Sequence, residues 1–131
     1  MNQKLSKDLA IHRLEQARED LEAGKLLYDK NFYKSANNRA YYSIFHSIKS
    51  ILALERIDFK KHKDVLAYFN KNYINNEIFP KTMGRKIHSA SSMREDSDYD
   101  DEFIVDASKT KEQLNTAEEL IDLVEKYIEN N

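Results

Sequence analysis

Two glycines and one proline in 131 residues leave this chain almost without the residues that tight turns and phosphate-cradling loops require. A turn-dense all-β fold and a Gly-rich nucleotide loop are both excluded on that ground. What remains is helix, and the apolar residues do recur at helical spacing. A composition of 40% hydrophobic and 34% charged residues describes one globular domain over residues 1–131, long enough to bury a core. The absence of cysteine removes disulfides, thiolate metal sites and thiol nucleophiles together. No apolar run approaches the roughly 20 residues of a membrane span. The polar start MNQKLSKDL has no signal-peptide character. The expectation is a cytoplasmic protein with no membrane contact.

Periodicity predicts five helical segments. The first covers about residues 6–30, with Ser6 as its N-cap and Asn31 as its stop. The others cover about 35–55, 61–73, 81–93 and 108–129. The run REDSDYDDEF, residues 94–103, breaks the pattern and crowds like charges, so it reads as a loop, with Tyr99 anchoring it against the bundle. Long helices with short connections predict an all-α, antiparallel four- to five-helix bundle.

The second segment is the most informative. At about 100° per residue, Ala40, Tyr41, Ile44, Phe45, Ile48, Ile51 and Leu52 share one broad arc. Arg39, Tyr42, Ser43, His46, Lys49 and Ser50 share the opposite one. Arg39 and His46 stand two turns apart on that polar arc, with Cα atoms separated by roughly 10.5 Å. Tyr42 and Ser43 place hydroxyls between them. A guanidinium grips phosphate bidentately, and an imidazole exchanges protons near neutrality. For RNA this pair suffices in principle without metal: His46 moves the proton of a ribose 2′-hydroxyl or of the leaving oxygen, and Arg39 stabilises the charge on phosphorus. Residues 30–63 carry 8 basic against 2 acidic groups and 94–131 carry 4 against 13, a distribution compatible with a polyanion-facing surface, although a pI near 6.1 leans toward plain solvated faces. The four histidines sit on separate predicted helices without zinc-ligand spacing, so no metal and no cofactor are expected. His62, within KKHK, could touch phosphate, but three lysines at a helix start are more often simply solvated.

The stretch FYKSANNRAYYSIFHSIKSIL (residues 32–52), followed by MREDSDYDDEF (93–103), resembles the prokaryotic HEPN domain family, whose motif is Arg, four to six residues, then His on the second long helix. Here the motif is Arg39, six residues, His46, and the later Asp98–Tyr99 after Arg94 also matches the small stand-alone members. The resemblance implies a helical bundle that forms a homodimer, bringing two Arg/His pairs into one cleft. It also implies metal-independent ribonuclease activity of toxin type, acting on RNA. The partner it implies is a minimal nucleotidyltransferase antitoxin, which in some pairs adenylylates a tyrosine two residues after the motif histidine. Position 48 is Ile48, so that modification is excluded here. Some catalytic members carry a polar residue after the motif arginine, where this chain has Ala40. The site expected from this likeness is Arg39 and His46 as catalytic groups, with Asn38, Tyr42, Ser43 and Tyr99 as binding groups. A non-catalytic module binding nucleotide, RNA or a protein partner through the same arc is the second reading. A structural adaptor with Arg39 and His46 at a dimer interface is the third.

Overall fold

The computed structural model describes residues 3–99 and 104–131. Among them the chain forms α1 (Gln3–Asp29), α2 (Tyr33–Leu54), α3 (His62–Phe69), α4 (Lys81–Tyr99) and α5 (Ala107–Glu129), with no strand. α3 continues into one π-helical turn, Asn70–Ile74. The fold is the all-α bundle that the periodicity predicts.

Three residues connect α1 to α2, and Asn31 makes the reversal at φ 68°. The Phe32 N–H donates to the Leu27 carbonyl and the Asn31 N–H to that of Tyr28, each at 2.9 Å, closing the end of α1 in the left-handed cap that asparagine tolerates. α2 then runs back along α1 at close range. The Ser43 hydroxyl donates to the Ala17 carbonyl at 2.7 Å, and that of Ser50 to the Ala10 carbonyl at 2.5 Å. A methyl group at Gly24 would come 3.3 Å from the Arg39 Cβ and 2.8 Å from a Leu114 methyl. Small residues along both helices allow this approach. α5 lies antiparallel to α1 as well, tied to it by Lys25–Glu118 at 2.8 Å and by the Arg18–Glu125 ion pair. α2 and α5 therefore run in the same direction.

The opposite face of α2 supplies the centre of the core. Ile44, Ile48, Ile51 and Leu52 are fully buried, and each contributes about 1.5–3 kcal/mol from burial. α3 closes over the later turns of α2, and α4 packs across α2 and α5.

Three of the boundaries that differ from the sequence expectation have a cause in the packing. α1 begins before Ser6, which is buried inside the helix and accepts from Arg56 Nε at 3.1 Å, so it is not an N-cap. α5 begins one residue early because the Asp106 carboxylate accepts from the Lys109 N–H at 2.7 Å. α4 continues through Arg94–Tyr99, where a loop was expected. Arg94 Nε lies 3.0 Å from Asp98 Oδ2 one turn on, and Ser97 is buried. That local pairing offsets the like-charge crowding that argued against helix. Residues 100–103 of the acidic run lie outside the described residues. Tyr99 is 84% exposed and touches no other ring among the described residues, so it anchors nothing against the bundle.

Replacing Ser43 with leucine should force α1 away from α2. Urea denaturation should show a loss of about 1–3 kcal/mol, the usual result of overpacking, whereas Ser43→Ala should cost about 1 kcal/mol for the lost hydrogen bond.

Candidate functional site

Antiparallel packing of α1 on α2 sets Asp20 opposite the gap between Arg39 and His46. Arg39 Nη1 donates to Asp20 Oδ1 at 2.9 Å, and His46 Nδ1 lies 2.7 Å from Asp20 Oδ2. The Asp20 side chain is only 12% exposed. Two side chains two turns apart on one helix, too distant to touch each other, thus share one carboxylate of the neighbouring helix. A carboxylate accepts and does not donate, so it places the proton of the neutral His46 ring on Nδ1. Nε2 of His46 makes no hydrogen bond among the described residues and, with the proton on Nδ1, carries the free lone pair of the ring.

Around this pair lies a platform of aromatic rings flanked by cations. The Arg39 guanidinium sits 5.3 Å from the centre of the Tyr42 ring. Arg94, from α4, approaches the same ring from elsewhere at 5.9 Å, lies 5.1 Å from the Tyr41 ring, and donates to the Tyr42 hydroxyl at 3.4 Å. Tyr42 is half-buried, and its ring centre lies 6.1 Å from that of His46. Cations over aromatic faces are favourable, and here they hold two guanidinium groups against one face of the bundle.

The third contributor comes from the start of α3. His62 stacks on Phe45 with ring centres 4.0 Å apart, and its Nδ1 lies 3.1 Å from the buried Tyr41 hydroxyl. Lys49 lies 6.0 Å from the Phe45 ring and pairs with Asp58 at 2.6 Å. Burial, then the charges of Arg94, Lys49 and His46, push the His62 imidazole below its ordinary value. Burial pushes the Tyr41 hydroxyl up to about 12.

The sequence-predicted residues therefore separate. Arg39, Tyr42 and His46 are together. Asn38 lines a neighbouring cavity of about 190 Å³ with Lys34, Asn37, Arg94 and Asp98. Ser43 is fully buried and bonded to α1, so it cannot contact a ligand at this face. Its place on the polar arc was real, but that arc is divided between α1 and solvent. No hydrogen bond or ring contact joins Tyr99 to the group among the described residues. Sequence reasoning does not find Asp20, notes Arg94 only as preceding Asp98–Tyr99, and sets phosphate contact at His62 behind plain solvation. No period within α2 reports on them, since each arrives from another helix. Among the described residues, no group of three or more His, Asp or Glu side chains could hold a metal ion.

The HEPN domain profile matches residues 10–127 of the chain. The chain belongs to the HEPN domain family. Relatives include a UPF0332 protein of Thermotoga maritima, 32% identical over 87% of this chain and 86% of that one. Two proteins of Methanocaldococcus jannaschii carry the name "putative toxin": one is 36% identical over 66% of this chain and 64% of its own length, the other 30% identical over 88% and 78%. Among the described residues, no helix of this HEPN protein is long and apolar enough to cross a membrane.

The depressed value at His62 has a consequence for stability. The unfolded chain takes up this proton near pH 6.5, and the folded chain resists it. The contribution is therefore complete above about pH 6.5 and is lost as pH falls through the lower folded value. His62→Asn, which keeps an acceptor for Tyr41 and cannot titrate, should lose less of its urea midpoint than wild type between about pH 7.5 and pH 5.

Proposed function

We propose that this HEPN protein is a metal-independent endoribonuclease of toxin type that works as a homodimer, with Arg39 and His46 as its catalytic groups. The observation that carries the reading is the Asp20 bridge, which holds an imidazole and a guanidinium on one face with the histidine's Nε2 directed away from its carboxylate partner. Nε2 of His46 takes the proton of a ribose 2′-hydroxyl, and the 2′-oxygen attacks the adjacent phosphorus. The bond from phosphorus to the 5′-oxygen breaks, and that oxygen leaves with the proton that His46 took up. The products are a 2′,3′-cyclic phosphate and a 5′-hydroxyl. Arg39 stabilises the negative charge that builds on the non-bridging oxygens. The substrate is RNA because DNA lacks the attacking hydroxyl. Asp20 acts through His46 and Arg39 and is a positioning residue.

One protomer offers a single Arg/His pair on an open face. Two copies related by a two-fold axis would set two such pairs across a cleft, with Tyr42 and Asn38 as binding groups along it. The names of the two M. jannaschii relatives agree with a toxin role. A minimal nucleotidyltransferase is the partner proposed on the family resemblance. It would have to modify an exposed phenol, because Ile48 is fully buried and carries no hydroxyl, and Tyr99 is the tyrosine the fold leaves most accessible.

The alternative is a non-catalytic module that binds RNA or nucleotide. It is favoured by Ala40, which is fully buried and adds no polar group beside Arg39.

Purified protein should shorten RNA in excess chelator and leave cyclic phosphate ends. His46→Ala should reduce the rate by at least about a hundredfold with an unchanged melting temperature. Saturable RNA binding without turnover, lost in Arg39→Ala, would establish the binding module instead. Sedimentation at micromolar concentration should give a dimer, and a monomer there overturns the composite cleft.

A further inference from the structure

The two histidines of this face are held by hydrogen-bond partners of opposite kind. At His46 the partner of Nδ1 is a carboxylate, which can only accept. At His62 the partner of Nδ1 is the Tyr41 hydroxyl, 3.1 Å away, on a residue only 2% exposed. That hydroxyl meets no other hydrogen-bond partner among the described residues. A buried hydroxyl proton needs an acceptor, and the lone pair of His62 Nδ1 is the acceptor within reach. Tyr41 therefore donates, Nδ1 of His62 carries no proton, and its proton sits on Nε2. Asp20 imposes the reverse arrangement on His46.

The rings are also near one another. The Phe45 centre lies 4.0 Å from that of His62 and 6.0 Å from that of His46, so the two imidazoles are within about 10 Å of each other. The Tyr42 ring centre lies 5.9 Å from His62 and 6.1 Å from His46, which puts the same ring beside both. One phosphodiester group held by a bond of about 2.8 Å on each side fits such a separation. Nε2 of His62, like that of His46, makes no hydrogen bond among the described residues.

We propose that His62 is a second phosphate-contacting group of this site, a neutral imidazole whose Nε2–H donates to a phosphoryl oxygen while the lone pair on His46 Nε2 receives the hydroxyl proton. The inference rests on the ribonuclease reading and assigns the phosphate a donor besides Arg39. Arg94, Lys49 and His46 are the cationic or titratable groups acting on His62, and Tyr41 fixes its tautomer. A donor that stays uncharged suits a phosphate already faced by Arg39: it adds a directed bond without adding another buried charge. The division of labour is a lone pair on one imidazole and an N–H on the other, set before substrate arrives.

Nitrogen-15 NMR of the imidazoles in the intact wild-type chain, at about pH 8 where histidine is neutral, tests the arrangement independently of activity. The expected result is a proton on Nε2 of His62 and on Nδ1 of His46. A proton on Nδ1 of His62 overturns the proposal. In chelator-resistant RNA cleavage, His62→Phe, which keeps the stack on Phe45, should lower kcat/KM about a hundredfold, the scale for losing one such donor. His62→Gln, which restores an N–H near the same position, should recover about tenfold of that loss. Full cleavage by His62→Phe alongside an inactive His46→Ala overturns the role of His62 and leaves the ribonuclease standing. Absence of cleavage by wild type overturns the ribonuclease, and His62 is then decided by uridine 3′-monophosphate. A downfield move of its Nε2–H at saturation upholds phosphate contact, and an unmoved resonance ends the proposal.

Discussion

The close approach of α1 and α2 is the constraint on which the rest of the molecule depends. Ala10, Ala17 and Gly24 on one helix meet Ser50, Ser43 and Ala36 on the other, and the two serine hydroxyls bond directly to carbonyls of α1. Side chains of this size let the backbones pack tightly and fix the register along the helices. With the register fixed, Asp20 is brought opposite both Arg39 and His46. A shift by one residue would turn the carboxylate by about 100° around α1 and break both contacts. The packing that stabilises the bundle is thus also the device that orients its most reactive groups.

On the outer side of α2 Arg39, Lys49 and Arg94 are each paired with one carboxylate. Arg39, His46, Lys49, His62 and Arg94 converge there, while Asp20, Asp58 and Asp98 each answer particular cations. The rings of Tyr41, Tyr42 and Phe45 separate the cations and present π faces to them, which reduces the mutual repulsion of gathering positive groups. Of the three rings only Tyr42 is accessible, so on the ribonuclease reading proposed above it alone could stack on a base while the cations meet phosphate. Membership of the HEPN family establishes the fold over almost the whole chain. The function of one member still has to be argued from its own site, because one scaffold carries different activities.

The acidic run shows how a local rule yields to a distant contact. Crowded carboxylates at 94–103 argue against helix, yet α4 reaches Tyr99 because Arg94 is held on the Tyr41 ring and pairs with Asp98 within a turn. His62 is a similar case. Its flanking lysines in KKHK favour plain solvation over phosphate contact, and only the stack on Phe45 and the hydroxyl of Tyr41 hold it against this face. Ser43 is the converse, a polar residue on the expected arc whose hydroxyl is spent on the neighbouring backbone.

The sequence by itself determined the helices, their order and the face of α2 that carries Arg39 and His46. Those depend on turn residues and on a period of 3.6, and both are properties of neighbours along the chain. Tertiary structure decided which groups meet that face: Asp20 from α1, His62 from α3 and Arg94 from α4. It also decided which polar residues were lost to packing. The physical reason is that interhelical register and the depth of each approach are set by the summed fit of many side chains on separate helices. No spacing within a single helix records that sum.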